Sequence, residues 1–188
     1  MNETTGPDQT SITDLIRGQH VEIERLFTNV QGGTGDARRE AFECLVRLLA
    51  VHETAEEEVV YPVVRHADPT GDEIVDARTA EESDAKSLLA ELERLGPDHE
   101  DFPSRFDDLR VAVLEHAHNE ETTVLPLLER TQDERQLAGM GVAARAAEAL
   151  APTHPHPHGP ESALGNLAVG PMVAVVDRAR DAIRAVRR

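Results

Sequence analysis

Apolar and polar positions repeat along the chain with a helical period. Ile12, Ile16, His20, Ile23, Phe27 and Val30 step by three and four, which places them on one face of a helix. Leu45, Leu49, His52, Glu56, Val59 and Val63 form a second such stripe. Ile74, Glu81, Ala85, Leu88, Leu92 and Leu95 form a third, and Leu109, Val113, His116, Glu120, Thr123 and Leu127 a fourth. Ser11, with Asp14 three residues on, opens the first helix, expected to reach about Val30 before Gly32-Gly33-Thr34-Gly35. Asp36 is expected to cap a second helix that runs to about His66 and breaks at Asp68-Pro69-Thr70-Gly71. A third is expected from about Asp72 to Leu95, ended by Gly96-Pro97, and a fourth from about Pro103 to Arg130. Pro62 and Pro126 fall inside the second and fourth patterns. Each removes a backbone hydrogen bond, so each predicts a kink.

Beyond these, an alanine-rich helix is expected from about Asp133 to Leu150. The Pro/His-rich run Pro152 to Pro160 cannot be helical, and Pro171 to about Arg187 has an amphipathic pattern with its arginines toward the C-terminal end. The expected organisation is a disordered 1–10, a bundle over 11–130, an added helix over 131–151, a linker over 152–170 and a last helix over 171–188. His154, His156 and His158 alternate with prolines. At three residues per polyproline turn, every second residue does not share a face, so they read as linker. The fold class is therefore all-α, an up-down four-helix bundle with additional C-terminal helices.

Composition agrees. With four phenylalanines, one tyrosine and no tryptophan, the core must come mainly from aliphatic residues and alanine, which suits helix-on-helix packing. A formal charge of −17 argues against nucleic acid or an anionic membrane as partner, since both demand a cationic surface. No run is apolar enough to span a membrane and Met1 to Gln9 has no apolar signal region, so the cytoplasm is the expected location. The single Cys44 can form no intramolecular disulfide and, on an apolar stretch, is expected to be a small core residue.

The chemistry lies in polar residues that interrupt the apolar stripes. His52 and Glu56, and likewise His116 and Glu120, sit where leucine would be expected, and His20 does so on the first helix. A bare carboxylate buried in such a stripe costs several kcal/mol unless paired or bound to a metal. The i, i+4 spacing lets an imidazole and a carboxylate converge on one point, and facing helices can bring two such points together. The segments also repeat: His52, Glu56, Glu57 and Pro62 hold the same offsets as His116, Glu120, Glu121 and Pro126. His20 lies 32 residues before His52. Its counterpart before His116 is Glu82, at 34 residues, whereas periodicity prefers Glu81.

With these residues in view, the chain resembles the hemerythrin-like proteins of the HHE cation-binding class over about residues 11–130. The resemblance implies a four-helix bundle around a non-haem di-iron centre, with His20, His52 and His116 as terminal ligands and Glu56 and Glu120 as bridges. It departs in the third helix, where the family usually places a histidine four residues before a Lys-x-Leu-Leu run. Here Lys86-Ser87-Leu88-Leu89 follows Glu82, which agrees with the hairpin offset and favours Glu82 over Glu81 as the ligand. An oxygen donor in place of a nitrogen makes a harder, more anionic site, suited to two iron ions and compatible with manganese. It also makes simple oxygen storage a weaker expectation. Glu53 could supplement the donors. Glu57 and Glu121 are expected to orient histidines from outside. Tyr61 is expected to pack near the Pro62 kink rather than face the site. His66, His99 and His118 lie off the stripes. The functions that follow are a di-iron protein that binds or senses oxygen, nitric oxide or iron, an enzyme in which such a centre breaks down peroxide, or a partner-binding bundle without metal.

Overall fold

The computed structural model describes residues 10–150. Among these, helices α1 (Ile12–Gly32) and α2 (Gly35–Ala55) form one hairpin, and α4 (Gly71–Leu95) and α5 (Phe102–Asn119) a second. Short helices α3 (Tyr61–Ala67) and α6 (Leu125–Thr131) continue α2 and α5, and α7 (Glu134–Glu148) lies across α1 and α2. The fold is an all-α helical bundle. The expected linker and last helix, at 152–188, lie outside the described residues, as do residues 1–9.

Local chemistry sets the boundaries. The Ser11 side chain accepts from the Asp14 amide at the start of α1, as its spacing predicts. Gly96 ends α4 with φ 79°, a conformation glycine adopts without strain. Asp133 and Gln136 form a reciprocal capping box that starts α7. Asp36 does not cap α2; the helix begins one residue earlier, after Thr34, whose side chain makes no cap bond.

The expected kinks at Pro62 and Pro126 take the form of π-helical turns just before each proline, Glu56–Val60 and Glu120–Val124. The Tyr61 amide reaches back five residues to the Glu56 carbonyl, and Leu125 does the same to Glu120. A π-turn holds one extra residue, so it moves the buried stripe by one position. Val64 is therefore fully buried where Val63 was expected, and Val124 is buried where Thr123 was expected and lies exposed.

The interior has three layers. At one end all four phenylalanines, Phe27, Phe42, Phe102 and Phe106, pack together with Leu45, Leu92 and Leu109. At the other, Ile12, Ile16, Val60, Val64, Leu125 and Leu128 pack with Leu137 and Met140 of α7. Between these apolar clusters lie His20, His52, Glu56, Glu82, His116 and Glu120, all buried. α7 approaches the start of α1 so closely that a Cβ on Gly141 would stand 2.2 Å from the Thr10 carbonyl oxygen. Cys44, expected in the core, is exposed, because the α2 face it shares turns away from the bundle.

Candidate metal centre

The buried polar layer is built from all four long helices. α1 brings His20 and α4 brings Glu82, while α2 and α5 bring His52 and His116 one turn before their π-turns, at whose first residues Glu56 and Glu120 stand. Donor atoms of His20, His52, Glu56 and Glu120 all lie within 4.8 Å of one another, and so do those of Glu56, Glu82 and His116. Glu56 belongs to both groups. Its Oε1 lies 3.1 Å from His52 Nε2 and its Oε2 lies 4.0 Å from His116 Nε2. Glu120 Oε2 stands 3.3 Å from His20 Nε2, 4.0 Å from His52 Nε2 and 3.6 Å from His116 Nε2.

Each histidine is oriented from behind. His20 Nδ1 lies 2.9 Å from Glu121 Oε1, His116 Nδ1 lies 3.1 Å from Glu81 Oε2, and His52 Nδ1 lies 2.9 Å from Gln19 Oε1. These partners are acceptors, so each Nδ1 carries the proton and donates it. Nε2 of each ring faces the carboxylates of the layer, and that of His20 lies within hydrogen-bond distance of Glu120 Oε2. At His116 burial is outweighed by Glu56, Glu81 and Glu120, which raise its pKa well above the usual value. A neutral imidazole nitrogen beside a carboxylate is repulsive unless a proton or a cation stands between them. Neither oxygen of Glu56, nor Glu82 Oε2, nor His116 Nε2 has a hydrogen-bond partner, though all are buried. The 3.1 Å approach of His52 to Glu56 is thus too poorly aligned for a hydrogen bond. Unsatisfied buried polar atoms are rare. Imidazole and carboxylate donors converging with free lone pairs fit a metal ion.

Electrostatics bear the same mark. Burial, then the neighbouring Glu120 carboxylate, pushes the Glu56 carboxyl well above its usual range. Burial likewise raises Glu82 to about 7, with His116, Tyr61 and Lys86 opposing the rise. Burial lowers His52 to about 3, helped by the two other histidines. Burial alone would raise Glu120, but His20, His116 and His52 hold it well below the carboxylate range.

The alternative left open on α4 resolves in space. Glu82 lies in the layer, whereas Glu81 is outside it, accepting from His116, Arg78 and Asn119. The buried face of α4 runs Val75, Arg78, Glu82, Ala85, Leu89 and Leu92, so the stripe through Glu81 is not the one that packs inward. Glu121 orients His20 as expected, but Glu57 does not orient a histidine. It accepts from Lys86 at 2.8 Å. Glu53 also pairs with Lys86, at 3.5 Å, outside both donor groups. Tyr61 was expected to pack near the kink and instead faces the layer, donating to Glu82 and lying 3.2 Å from Glu120 Oε1. The π-turn explains this: five residues after Glu56, Tyr61 stacks on the same face. Gln19 had no signal in the sequence, because its role requires His52 from another helix. His66, His99 and His118 are exposed. A cavity of about 20 Å³, room for one water-sized molecule, adjoins the layer beside His20, His52, Glu53, Glu82 and His116.

The sequence pattern of the Hemerythrin HHE cation binding domain matches residues 11–128. The chain belongs to that family. Hemerythrin-like relatives include an uncharacterized protein of Schizosaccharomyces pombe, 25% identical over 174 residues, covering 92% of this chain and 86% of that protein. A DNA nickase of Nostoc sp. is 31% identical over 150 residues, covering 77% of this chain; the chain spans only 42% of that relative's length. Among solved structures, a hemerythrin HHE cation binding domain-containing protein from Mycobacterium kansasii superposes with a TM-score of 0.65 over 90% of this chain and 99% of that one, at 18% identity. That likeness speaks for the fold. No described helix of this HHE-domain protein is long and apolar enough to cross a membrane.

Proposed function

We propose that the protein binds a pair of non-haem metal ions, iron first and manganese as a fitting substitute, and uses them to bind or sense a small ligand such as oxygen, nitric oxide or iron itself. His20, His52 and His116 would hold the ions through Nε2, with Glu56 and Glu120 between them and Glu82 completing the set. The observation that carries this reading is the orientation of the three imidazoles. All have Nδ1 tied to an outside acceptor and Nε2 turned on carboxylate oxygens, four atoms of the layer being buried without a partner. When bound, such ions supply Lewis acidity and one-electron redox change. The chain's own part is to hold the donors, exclude bulk water and leave beside the imidazoles a small cavity with room for one water-sized molecule.

A second reading is breakdown of peroxide at the same centre. It is favoured by the carboxylate Glu53 at that cavity, paired with Lys86, and by the Tyr61 hydroxyl on Glu82. Such protic groups are of little use to an oxygen store and of direct use where protons move. The nickase activity named for the Nostoc relative belongs to a protein of which this chain spans 42%, and a net charge of −17 disfavours contact with a phosphate backbone.

Metal analysis after expression in iron-replete medium tests the proposal. Two ions per chain are expected, with loss in the chain carrying both His52→Ala and His116→Ala; little metal, or metal that survives both changes, sinks it. Peroxide turnover that vanishes in Glu56→Ala would favour the second reading over the first. Reversible optical changes on exposure to oxygen or nitric oxide would favour the first.

A further inference from the structure

We infer that Glu148, on α7 and beyond the residues that the family pattern matches, is a positioning residue for the metal centre that acts on His52 through Gln19. The inference rests on the reading of His52 as a ligand. His20 and His116 each give their Nδ1 proton directly to a carboxylate, Glu121 and Glu81. His52 gives its proton to a neutral amide, Gln19 Oε1, at 2.9 Å. That difference matters because a side-chain amide has two faces. Turned over, Gln19 would present its NH2 group to His52, whose Nδ1 would then have to accept and whose proton would move to Nε2. A protonated Nε2 cannot bind a metal.

Glu148 removes that option. Its Oε1 accepts from Gln19 Nε2 at 2.8 Å, and an ionised carboxylate can only accept. The NH2 group must therefore face Glu148 and the carbonyl must face His52. One carboxylate on the outer helix thus dictates the amide's orientation, the amide dictates the tautomer, and the tautomer leaves the Nε2 lone pair on the centre. Every histidine of the layer is in this way anchored to a carboxylate, two directly and one through an amide. α7 is placed for the task by its capping box and by the close approach of Gly141 to Thr10.

Nitrogen-15 spectra of the metal-free full chain read the tautomer of His52, and titration with cobalt(II) reads the centre. The wild type is expected to show His52 with Nε2 unprotonated. Glu148→Ala is expected to mix the two tautomers and to weaken cobalt binding about tenfold, as loss of an outer-shell partner of a ligand does. Gln19→Leu should have the same effect, and Glu148→Ala added to it should change nothing more, whereas two merely structural losses would add. Should the alanine variant fail to fold, Glu148→Gln keeps the shape, restores the freedom of the amide to turn over, and carries the same expectation. An unchanged tautomer or an unchanged cobalt affinity overturns the role of Glu148. A wild type that takes up no cobalt while its tautomer still responds to Glu148 leaves the relay standing and overturns the metal reading alone.

Discussion

His52 to Pro62 and His116 to Pro126 share their spacing, their π-turns and their place in the bundle, yet their surroundings differ at three points. Behind His116 stands a carboxylate, Glu81; behind His52 stands Gln19, itself held by Glu148 of α7. The second acid of one copy, Glu121, holds His20, while that of the other, Glu57, holds Lys86. Five residues past Glu56 and Glu120, one copy carries Tyr61, which donates into the layer, and the other carries Leu125, which fills the apolar core. The repeat thus supplies the donors, and its differences divide the work of orienting them. A doubled motif is a backbone device first. What each copy does depends on which helix lies against it.

The largest expected effect separates the two glutamates that follow the histidines. Glu56 belongs to both donor groups and Glu120 to one. Both variants, Glu56→Ala and Glu120→Ala, should lower bound metal, Glu56→Ala the more completely because Glu56 belongs to both donor groups; metal content per chain reads the difference.

The matched positions Tyr61 and Leu125 come next. Leu125→Ala should cost about 2–5 kcal/mol of stability by leaving a core cavity, with metal content retained. Tyr61→Phe should cost the metal-free chain about 1–3 kcal/mol, because Glu82 loses a buried donor, and should also alter metal affinity. Denaturant unfolding with and without metal checks both.

The paired acids give a smaller contrast. Glu121→Gln should weaken metal binding about tenfold through His20. Glu57→Gln should leave that affinity nearly unchanged, since its partner is Lys86.

The smallest expected effect is a slope with pH. Burial raises Glu82 to about 7 from the usual 4.5. An acid whose folded value is raised contributes stability that is complete below its unfolded value and is lost as pH rises through its folded value. Glu82 should therefore contribute a loss of stability to the metal-free chain between about pH 4.5 and 7. His52, which burial keeps neutral down to about pH 3, opposes that loss over the lower part of the window. Glu82→Gln should remove the first contribution and leave the second.

Much of the bundle was legible because amphipathic helices declare themselves by period. The stripe from Ile12 to Val30 is buried throughout, and so are both His-Glu pairs, since a polar residue locked in an apolar stripe has few places to go. The register after each π-turn was not legible. Pro62 and Pro126 announce a disturbance, but whether the chain kinks or widens depends on what the next turn can bury. One added residue turned Tyr61 inward and Val63 partly outward. The choice between Glu81 and Glu82 was similarly hidden, because adjacent helical positions differ by about 100° and only the packing of α4 selects the face.

Sequence alone determined the helices, the doubled donors and the family, because each follows from spacing along one chain. Tertiary structure decided which atoms meet: Gln19 behind His52, Glu148 behind Gln19, Tyr61 on Glu82 and Lys86 among Glu53 and Glu57. These are contacts between helices, whose partners are set by the facing of whole elements rather than by any local pattern. A histidine's place is thus written in its own helix, and its proton is placed by another.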